Sequence, residues 1–328
     1  MNNFLIDPLK NLDSYSNLLR DINQGLTPIS TYGIIDENLG HILYGLREHL
    51  DRQILLVTYD ELKARRLYED IRNLGNVEVE IFPKKEILFY DVHASSYENL
   101  IQRLKVISKL ISQEKVIIIV SIEALLDKII IKDIFQKHTE TIELENDINL
   151  DLLIKNFVNS GYERVHMVEG VGQFSIRGGI IDFFPPNSNN PYRVELFDEE
   201  VDSIRTFDIL TQRSLETKDK ITIPPVKEIL ITEEISGKTI QNLKGELEKF
   251  NFNERTEEKF SRYIELLEEN IYLSNRDMIL PYIPKEYLGS IIDYLQEDSL
   301  IFIDEPKRVE EKYKNNKEDF YIKIKDLL

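Results

Sequence analysis

Two kinds of hydrophobic pattern alternate along the first 126 residues of the chain. Short, mostly apolar runs are followed by longer segments whose apolar residues recur every three or four positions. The short runs predict buried strands and the longer segments predict amphipathic helices. The predicted strands are 53–58, 77–82 and 115–121, and the predicted helices are 9–24, 33–50, 61–74 and 98–111. Strands and helices in alternation indicate an α/β domain built on a parallel sheet.

The pattern changes near residue 127. One amphipathic helix (151–159) precedes a strand-rich stretch (161–207) broken by Gly, Pro and Asn, and the chain after residue 215 is charged and helical. A further helix is predicted at 285–296, before an apolar strand that ends in two acids at 304–305. We therefore expect one α/β domain interrupted by a small α+β domain. The expected bounds are 1–126 for its first part, 127–213 for the insertion and 214–328 for the segment that returns to complete it.

Composition narrows the function classes. The absence of Cys excludes disulfides and Cys-based metal sites and favours a reducing cytoplasm. Five scattered His have no metal-ligand spacing, so no metal site is expected. No apolar run is long enough to span a bilayer and the N-terminus has no signal-peptide pattern, so neither membrane association nor export is expected. A net charge of −18 argues against tight binding of duplex DNA by this chain.

Arginine is concentrated in the strand-rich stretch. Residues 161–214 hold five Arg and no Lys, whereas the rest of the chain has 25 Lys and 11 Arg. A guanidinium suits partly dry contacts because its planar fork donates parallel hydrogen bonds and is weakly hydrated. The distribution predicts a β module built either around internal ion pairs or for docking to a partner.

The same stretch carries a family resemblance. Residues 177–186 read Arg-Gly-Gly-Ile-Ile-Asp-Phe-Phe-Pro-Pro, and residues 191–205 read Pro-Tyr-Arg-Val-Glu-Leu-Phe-Asp-Glu-Glu-Val-Asp-Ser-Ile-Arg. These segments resemble the small inserted domain shared by the UvrB family and by the transcription-repair coupling factors (Mfd). The resemblance implies that the α/β domain is a degenerate RecA-like parallel-sheet domain.

A RecA-like motor would hold ATP in a Gly-rich loop that ends in Gly-Lys-Ser/Thr. The corresponding residues 31–40 contain no Lys, and Asp36 and Glu37 stand where phosphates would lie. Asp304 and Glu305 resemble the carboxylate pair that holds magnesium in such motors, although two acids at a strand end are common in any α/β protein. We interpret these four residues as remnants of a nucleotide site and expect no ATP hydrolysis, no catalytic residue and no cofactor in this chain.

The missing phosphate loop separates the two families, because UvrB keeps an intact loop and a DNA-gripping β-hairpin. Residues 82–91 lead into 97–107 with no room for such a hairpin. The chain thus resembles the N-terminal UvrB-like module of a transcription-repair coupling factor. The resemblance implies a larger parent that binds RNA polymerase and moves along double-stranded DNA with ATP and Mg, and a role for this segment in recruiting UvrA during nucleotide excision repair. The alternatives are a UvrB-type ATP-dependent damage-verification protein and a purely structural brace.

The resemblance places contacts to UvrA on Arg177, Arg193 and Phe197. Strand alternation puts Arg193 and Phe197 on one face, while Tyr192, Val194 and Leu196 form the other, core-like face. An aromatic beside Arg is typical of an interface hot spot. The alternative is that Phe197 packs under a neighbouring turn and that Arg193 pairs with Glu195 or Asp198. Asp182 and Asp202 are expected to satisfy turns and nearby Arg side chains.

Overall fold

The computed structural model describes residues 4–75, 77–85, 97–250, 252–269 and 276–327. The α-helices are α1 (Asp13–Asn23), α2 (Asp36–Leu50), α3 (Glu61–Arg72), α4 (Tyr97–Ile111), α5 (Ile122–Leu125), α6 (Lys132–Lys137), α7 (Leu150–Asn159), α8 (Glu233–Lys249), α9 (Glu254–Glu268) and α10 (Pro306–Leu327). The strands are β1 (Ile54–Thr58), β2 (Val79–Phe82), β3 (Ile117–Ser121), β4 (Ile129–Ile130), β5 (Glu140–Glu143), β6 (Glu163–Arg164), β7 (Gln173–Arg177), β8 (Ile180–Phe183), β9 (Tyr192–Phe197), β10 (Glu200–Phe207), β11 (Ser214–Thr217), β12 (Lys220–Ile223), β13 (Leu288–Gly289) and β14 (Leu300–Ile303).

The chain divides into two compact units. Unit 1 comprises residues 1–127 and 295–328, and unit 2 comprises residues 128–294. The sequence placed the return to the α/β domain at residue 214, whereas the structure has it at residue 295. The reason is pairing that the sequence pattern does not display: β12 pairs with β5, and β13 pairs with β4. Both pairings hold residues after 214 within unit 2.

Unit 1 is built on a parallel sheet, which confirms the predicted α/β class. Its strand order is β14-β1-β3-β2, and β1 and β3 are buried along their whole length. Helices α2 and α3 pack their apolar residues against one face of this sheet. Helix α3 begins after Asp60, whose carboxylate accepts a hydrogen bond of 2.8 Å from the Lys63 backbone N–H. This cap places the first turn of α3 beside the carboxyl end of β1.

Unit 2 contains a six-stranded sheet in the order β11-β10-β9-β8-β7-β6. Its pairs are antiparallel except for the parallel pair of β6 and β7. Helix α7 covers one face, where Leu153 and Phe157 pack against Phe174 and Phe183. We call α7 together with β5–β12 the β module. A separate small core joins α8 and α9 through Leu243, Phe260 and neighbouring apolar residues.

Two local expectations differ from the structure. The helix predicted at 285–296 is wrong: these residues form two short 3-10 helices, Lys285–Tyr287 and Ile291–Tyr294, on either side of β13. Strand β13, which ends in Gly289, interrupts the segment. A segment this short also needs tertiary support to form an α-helix. The helix predicted at 33–50 begins only at Asp36. Among the described helices, none is long and apolar enough to cross a membrane.

Candidate functional site

A tight hairpin positions Arg177 at the edge of the β module. Arg177 ends β7, and Gly178, with a φ of +61°, makes the turn into β8. That backbone region is open to glycine at no steric cost. At Gly179 an added Cβ would lie 2.9 Å from the Leu196 carbonyl oxygen, so glycine also permits the close approach of β9. The paired glycines therefore set both the turn and the spacing between the Arg177 hairpin and the end of β9.

Strand β9 presents two different faces, as its alternation predicted. Val194 is fully buried in the core under α7, and Tyr192 and Leu196 pack against the same core. Arg193 and Phe197 belong to the opposite face, which we call the outer face. On β9 the outer face carries Arg193, Glu195 and Phe197, whereas the inner face carries Tyr192, Val194 and Leu196.

A buried carboxylate organises the outer face. Asp182 on β8 lies opposite Arg193 in the strand register, and only 2% of its surface is exposed. Its two oxygens accept hydrogen bonds from Arg193 Nε (2.7 Å) and Arg193 Nη2 (2.9 Å), and Oδ2 also accepts one from Arg177 Nη2 (2.8 Å). These hydrogen bonds raise the pKa of the Arg193 guanidinium. Asp182 therefore fixes both predicted docking arginines, in the role of Arg partner that the sequence assigned to it.

Further contacts hold Arg193 in place. Its guanidinium carbon lies 4.6 Å from the centre of the Phe207 ring, and Nη2 donates a hydrogen bond of 3.1 Å to Gln212 Oε1. Glu195, one of the two expected alternatives, forms its ion pair with Arg205 on β10. Asp182, Phe207 and Gln212 therefore hold the Arg193 guanidinium, and its Nε and Nη2 atoms are the ones that donate hydrogen bonds.

The three predicted docking residues differ in exposure. The side chain of Arg193 is 17% exposed and that of Arg177 is 53% exposed. Phe197 is 79% exposed, at the tip where β9 turns through Asp198 into β10. Packing of Phe197 under a neighbouring turn is therefore excluded. The structure joins Arg177 and Arg193 through Asp182 and leaves Phe197 open to solvent at the end of the same strand.

Two of the four predicted nucleotide-site remnants lie beside the same lysine. Asp36 starts α2 and Asp304 follows β14, and Lys63 lies between them, with Nζ 2.5 Å from Asp36 Oδ2 and 4.0 Å from Asp304 Oδ2. Glu37 is exposed on the first turn of α2. Glu305 binds Arg308 at 3.0 Å. The structure thus brings Asp36 and Asp304 together and leaves Glu37 and Glu305 outside the cluster.

The sequence reading missed Lys63. Its side chain is 5% exposed, and although burial alone would lower its pKa, the hydrogen bond to Asp36 and the charge of Asp304 raise the pKa above its ordinary value. Burial raises the pKa of the Asp304 carboxyl, and the Lys63 charge opposes that shift. One signal was available, because a lysine in the first turn of a helix faces the unfavourable end of the helix dipole. Such a lysine needs an anionic partner, and here it has two.

Comparison with known proteins defines the class of the β module. Residues 141–229 match the family model of the UvrB interaction domain, and this range holds Arg177, Arg193 and Phe197. Over nearly its whole length the chain is similar to transcription-repair-coupling factors. It is 30% identical over 311 residues to that of Bacillus subtilis (strain 168), covering 92% of this chain and 26% of the relative. It is 31% identical over 297 residues to that of Staphylococcus epidermidis (strain ATCC 12228 / FDA PCI 1200), covering 88% and 24%.

The chain therefore spans about a quarter of the length of the curated relatives it matches. The similarity extends beyond the UvrB interaction domain into the parallel-sheet unit, since it covers 92% of the chain. In the sequence, the short connection from residues 82–91 to 97–107 distinguished the coupling factors from the UvrB family. Residues 86–96 of that connection lie outside the described residues.

Proposed function

We propose that this chain is a UvrA-docking segment of a transcription-repair coupling factor, and that the outer face of its β module makes the contact. The observation that carries the proposal is the exposure of Phe197 on the strand where Asp182 holds Arg193. In the cell, the segment would recruit UvrA to RNA polymerase stalled at a DNA lesion, in the cytoplasm, during nucleotide excision repair.

Pre-organisation supports docking at this face. Arg193 is fixed by Asp182, Phe207 and Gln212, so little side-chain freedom is lost when a partner binds. Arg177 uses one nitrogen on Asp182 and remains half exposed, which leaves donors for an acidic group of the partner. Arginine and aromatic residues are also the types that dominate binding energy in protein interfaces.

The parallel-sheet unit supports a role without ATP hydrolysis. Lys63 already neutralises Asp36 and lies beside Asp304, so the two carboxylates are engaged within the protein. No phosphate loop occurs in the sequence. ATP, Mg, double-stranded DNA and RNA polymerase would then be bound by other parts of the whole protein.

Binding of UvrA to single variants tests the proposal. Arg177→Ala, Arg193→Ala and Phe197→Ala should each weaken binding by about thirty-fold or more, because truncating an interface anchor costs roughly 2–4 kcal/mol. Isothermal calorimetry with purified UvrA would give the affinities. Circular dichroism must show that each variant is folded, since both arginines also pair with Asp182.

Lys249→Ala and Lys259→Ala are the controls, because both lysines are exposed on α8 and α9, which share a separate small core. Folded Arg193→Ala and Phe197→Ala variants that bind UvrA like the unmodified chain would overturn the docking assignment. That result would favour the structural-brace alternative.

A further inference from the structure

The loop between β10 and β11 is closed by its own hydrogen bonds. Asp208 Oδ1 accepts from both the backbone N–H and the hydroxyl of Thr211, each at 2.7 Å. The Gln212 N–H donates to the Asp208 carbonyl at 2.8 Å, and the Asp208 N–H donates to the Arg213 carbonyl at 3.0 Å. Hydrogen bonds from Thr211 also lower the pKa of the Asp208 carboxyl. Residues 208–213 therefore form a defined turn, which we call the 208–213 loop.

Gln212 connects this loop to the docking face. Its Nε2 donates a hydrogen bond of 2.8 Å to the Ile209 carbonyl, so the NH2 group of the Gln212 side chain is bound within the loop. Its Oε1 then faces Arg193 and accepts from Nη2 at 3.1 Å. The side chain of Gln212 thus spans from Arg193 to the peptide group that joins Ile209 to Leu210.

Leu210 lies at the exposed side of the loop. It is 93% exposed, the highest value among the large apolar residues described. A single exposed leucine is common on protein surfaces and needs no explanation by itself. This one differs because a hydrogen-bonded loop holds it and because Gln212 fixes that loop to Arg193. An apolar side chain on a loop that is already ordered offers contact area at a lower entropic cost than one on a mobile loop.

We propose that the 208–213 loop is a second part of the UvrA-docking surface, with Leu210 as an apolar contact and Gln212 as a positioning residue for Arg193. This inference rests on the proposed function. Arg193 and Phe197 are four residues apart on β9, roughly 13 Å along an extended strand. Phe197 lies at the end of β9 that turns into β10, whereas residues 208–213 follow the part of β10 that pairs with the start of β9. The surface then has apolar groups at both ends of the strand that carries Arg193. It fits an acidic patch of the partner flanked by two apolar pockets.

Two variants of the full chain test the inference in a UvrA-binding titration. Leu210→Ser should weaken binding about tenfold with no change in thermal midpoint, because an exposed side chain contributes little to folding. Leu152→Ser is the matched control: Leu152 is 55% exposed on α7, the helix that covers the inner face, and binding should not change.

Gln212→Ala should weaken binding about fivefold by freeing Arg193. A double-mutant cycle separates positioning from a direct contact. In an Arg193→Ala background the effect of Gln212→Ala should vanish, while the effect of Leu210→Ser should persist.

The failures of the two proposals are distinguishable. If Arg193→Ala and Phe197→Ala lose binding while Leu210→Ser and Gln212→Ala bind within twofold of the unmodified chain, the loop inference is overturned and the docking face stands. If all four folded variants bind UvrA like the unmodified chain, both proposals fail. An equal effect of Gln212→Ala with and without Arg193 would overturn its positioning role.

Discussion

The two units each contain a charged cluster of three residues, with opposite arrangements. On the outer face of unit 2, one buried carboxylate, Asp182, holds two arginines that reach solvent. In unit 1, one buried ammonium, Lys63, lies between two carboxylates at the carboxyl end of the sheet. Both clusters balance charge locally, but the sign of the buried group differs.

The difference decides what each cluster can still bind. Both oxygens of Asp182 accept hydrogen bonds within the protein. The arginines around it keep donors at the surface because a guanidinium has five N–H groups. Lys63 is a compact cation that is itself buried, and it occupies the end of the sheet at which α/β proteins commonly bind ligands. A buried anion with exposed cations leaves hydrogen-bond donors at the surface, whereas the buried Lys63 ammonium is already engaged by Asp36.

The largest expected effect follows from removing the centre of the outer-face cluster. Asp182→Ala leaves two guanidinium groups without their counter-ion and should reduce the free energy of unfolding by about 3 kcal/mol. It should also weaken UvrA binding, because Arg193 loses its fixed position. Chemical unfolding measures the first effect. Asp202→Ala, at an exposed position on β10 of the same sheet, should change the unfolding free energy by less than about 0.5 kcal/mol. A stable Asp182→Ala variant with full UvrA binding would remove the proposed role of the carboxylate.

Lys63→Met tests the opposite cluster. The substitution keeps an unbranched apolar stem but removes the ammonium and leaves Asp304 buried without its cation, at an expected cost of about 2 kcal/mol in unfolding free energy. UvrA binding by the folded variant should not change. Arg66→Met, exposed on the same helix, is the control and should be close to neutral. Loss of UvrA affinity in folded Lys63→Met would show that the docking face depends on the Lys63 cluster.

The destabilisation by Lys63→Met should depend on pH. Burial already raises the pKa of Asp304, and removal of the Lys63 charge should raise it further. When the pKa of a carboxyl is higher in the folded than in the unfolded state, protonation of that carboxyl favours the folded state. This contribution to stability is lost as the pH rises through the folded pKa. The destabilisation by Lys63→Met should therefore shrink as the pH falls from about 7 to about 4.5. A difference that stays constant over this range would show that Asp304 is not the group left unpaired.

The smallest expected signal is heat from nucleotide binding. Titration of the chain with Mg-ATP should give none above dilution, because the sequence has no phosphate loop and Lys63 engages the acids at the sheet edge. Saturable heat at micromolar ATP would contradict the interpretation of Asp36 and Asp304 as remnants.

Local sequence patterns predicted much of the parallel-sheet unit. The apolar runs around β1 and β3 and the helical spacing of α2 and α4 identified the parallel-sheet unit without any knowledge of contacts. The helix expected at 285–296 failed because apolar spacing alone does not reveal that 3-10 turns and a β-bridge will satisfy the backbone. The return at residue 295 depends on strand pairings between distant segments, which no local pattern encodes.

The candidate site shows the same limit. Alternation on β9 predicted that Arg193 and Phe197 share a face, since this needs only the period of a strand. The pairing of Arg193 with Asp182 needed the register between β8 and β9. Lys63 and Asp304 are far apart in sequence and meet only because β1 and β14 are neighbours in the sheet. Gln212 carried no signal at all, because its role depends on the shape of one loop.

The exposure of Phe197 and Leu210 also has a colloidal consequence. Two open apolar side chains on a fixed surface favour contact between copies of the chain, and a net charge of −18 opposes it by mutual repulsion. Dissolved salt screens that repulsion, with a Debye length of about 10 Å at 0.1 M. Ionic strength should therefore act in opposite directions on the two processes: it weakens docking that depends on arginine, and it promotes self-association through the same apolar tips.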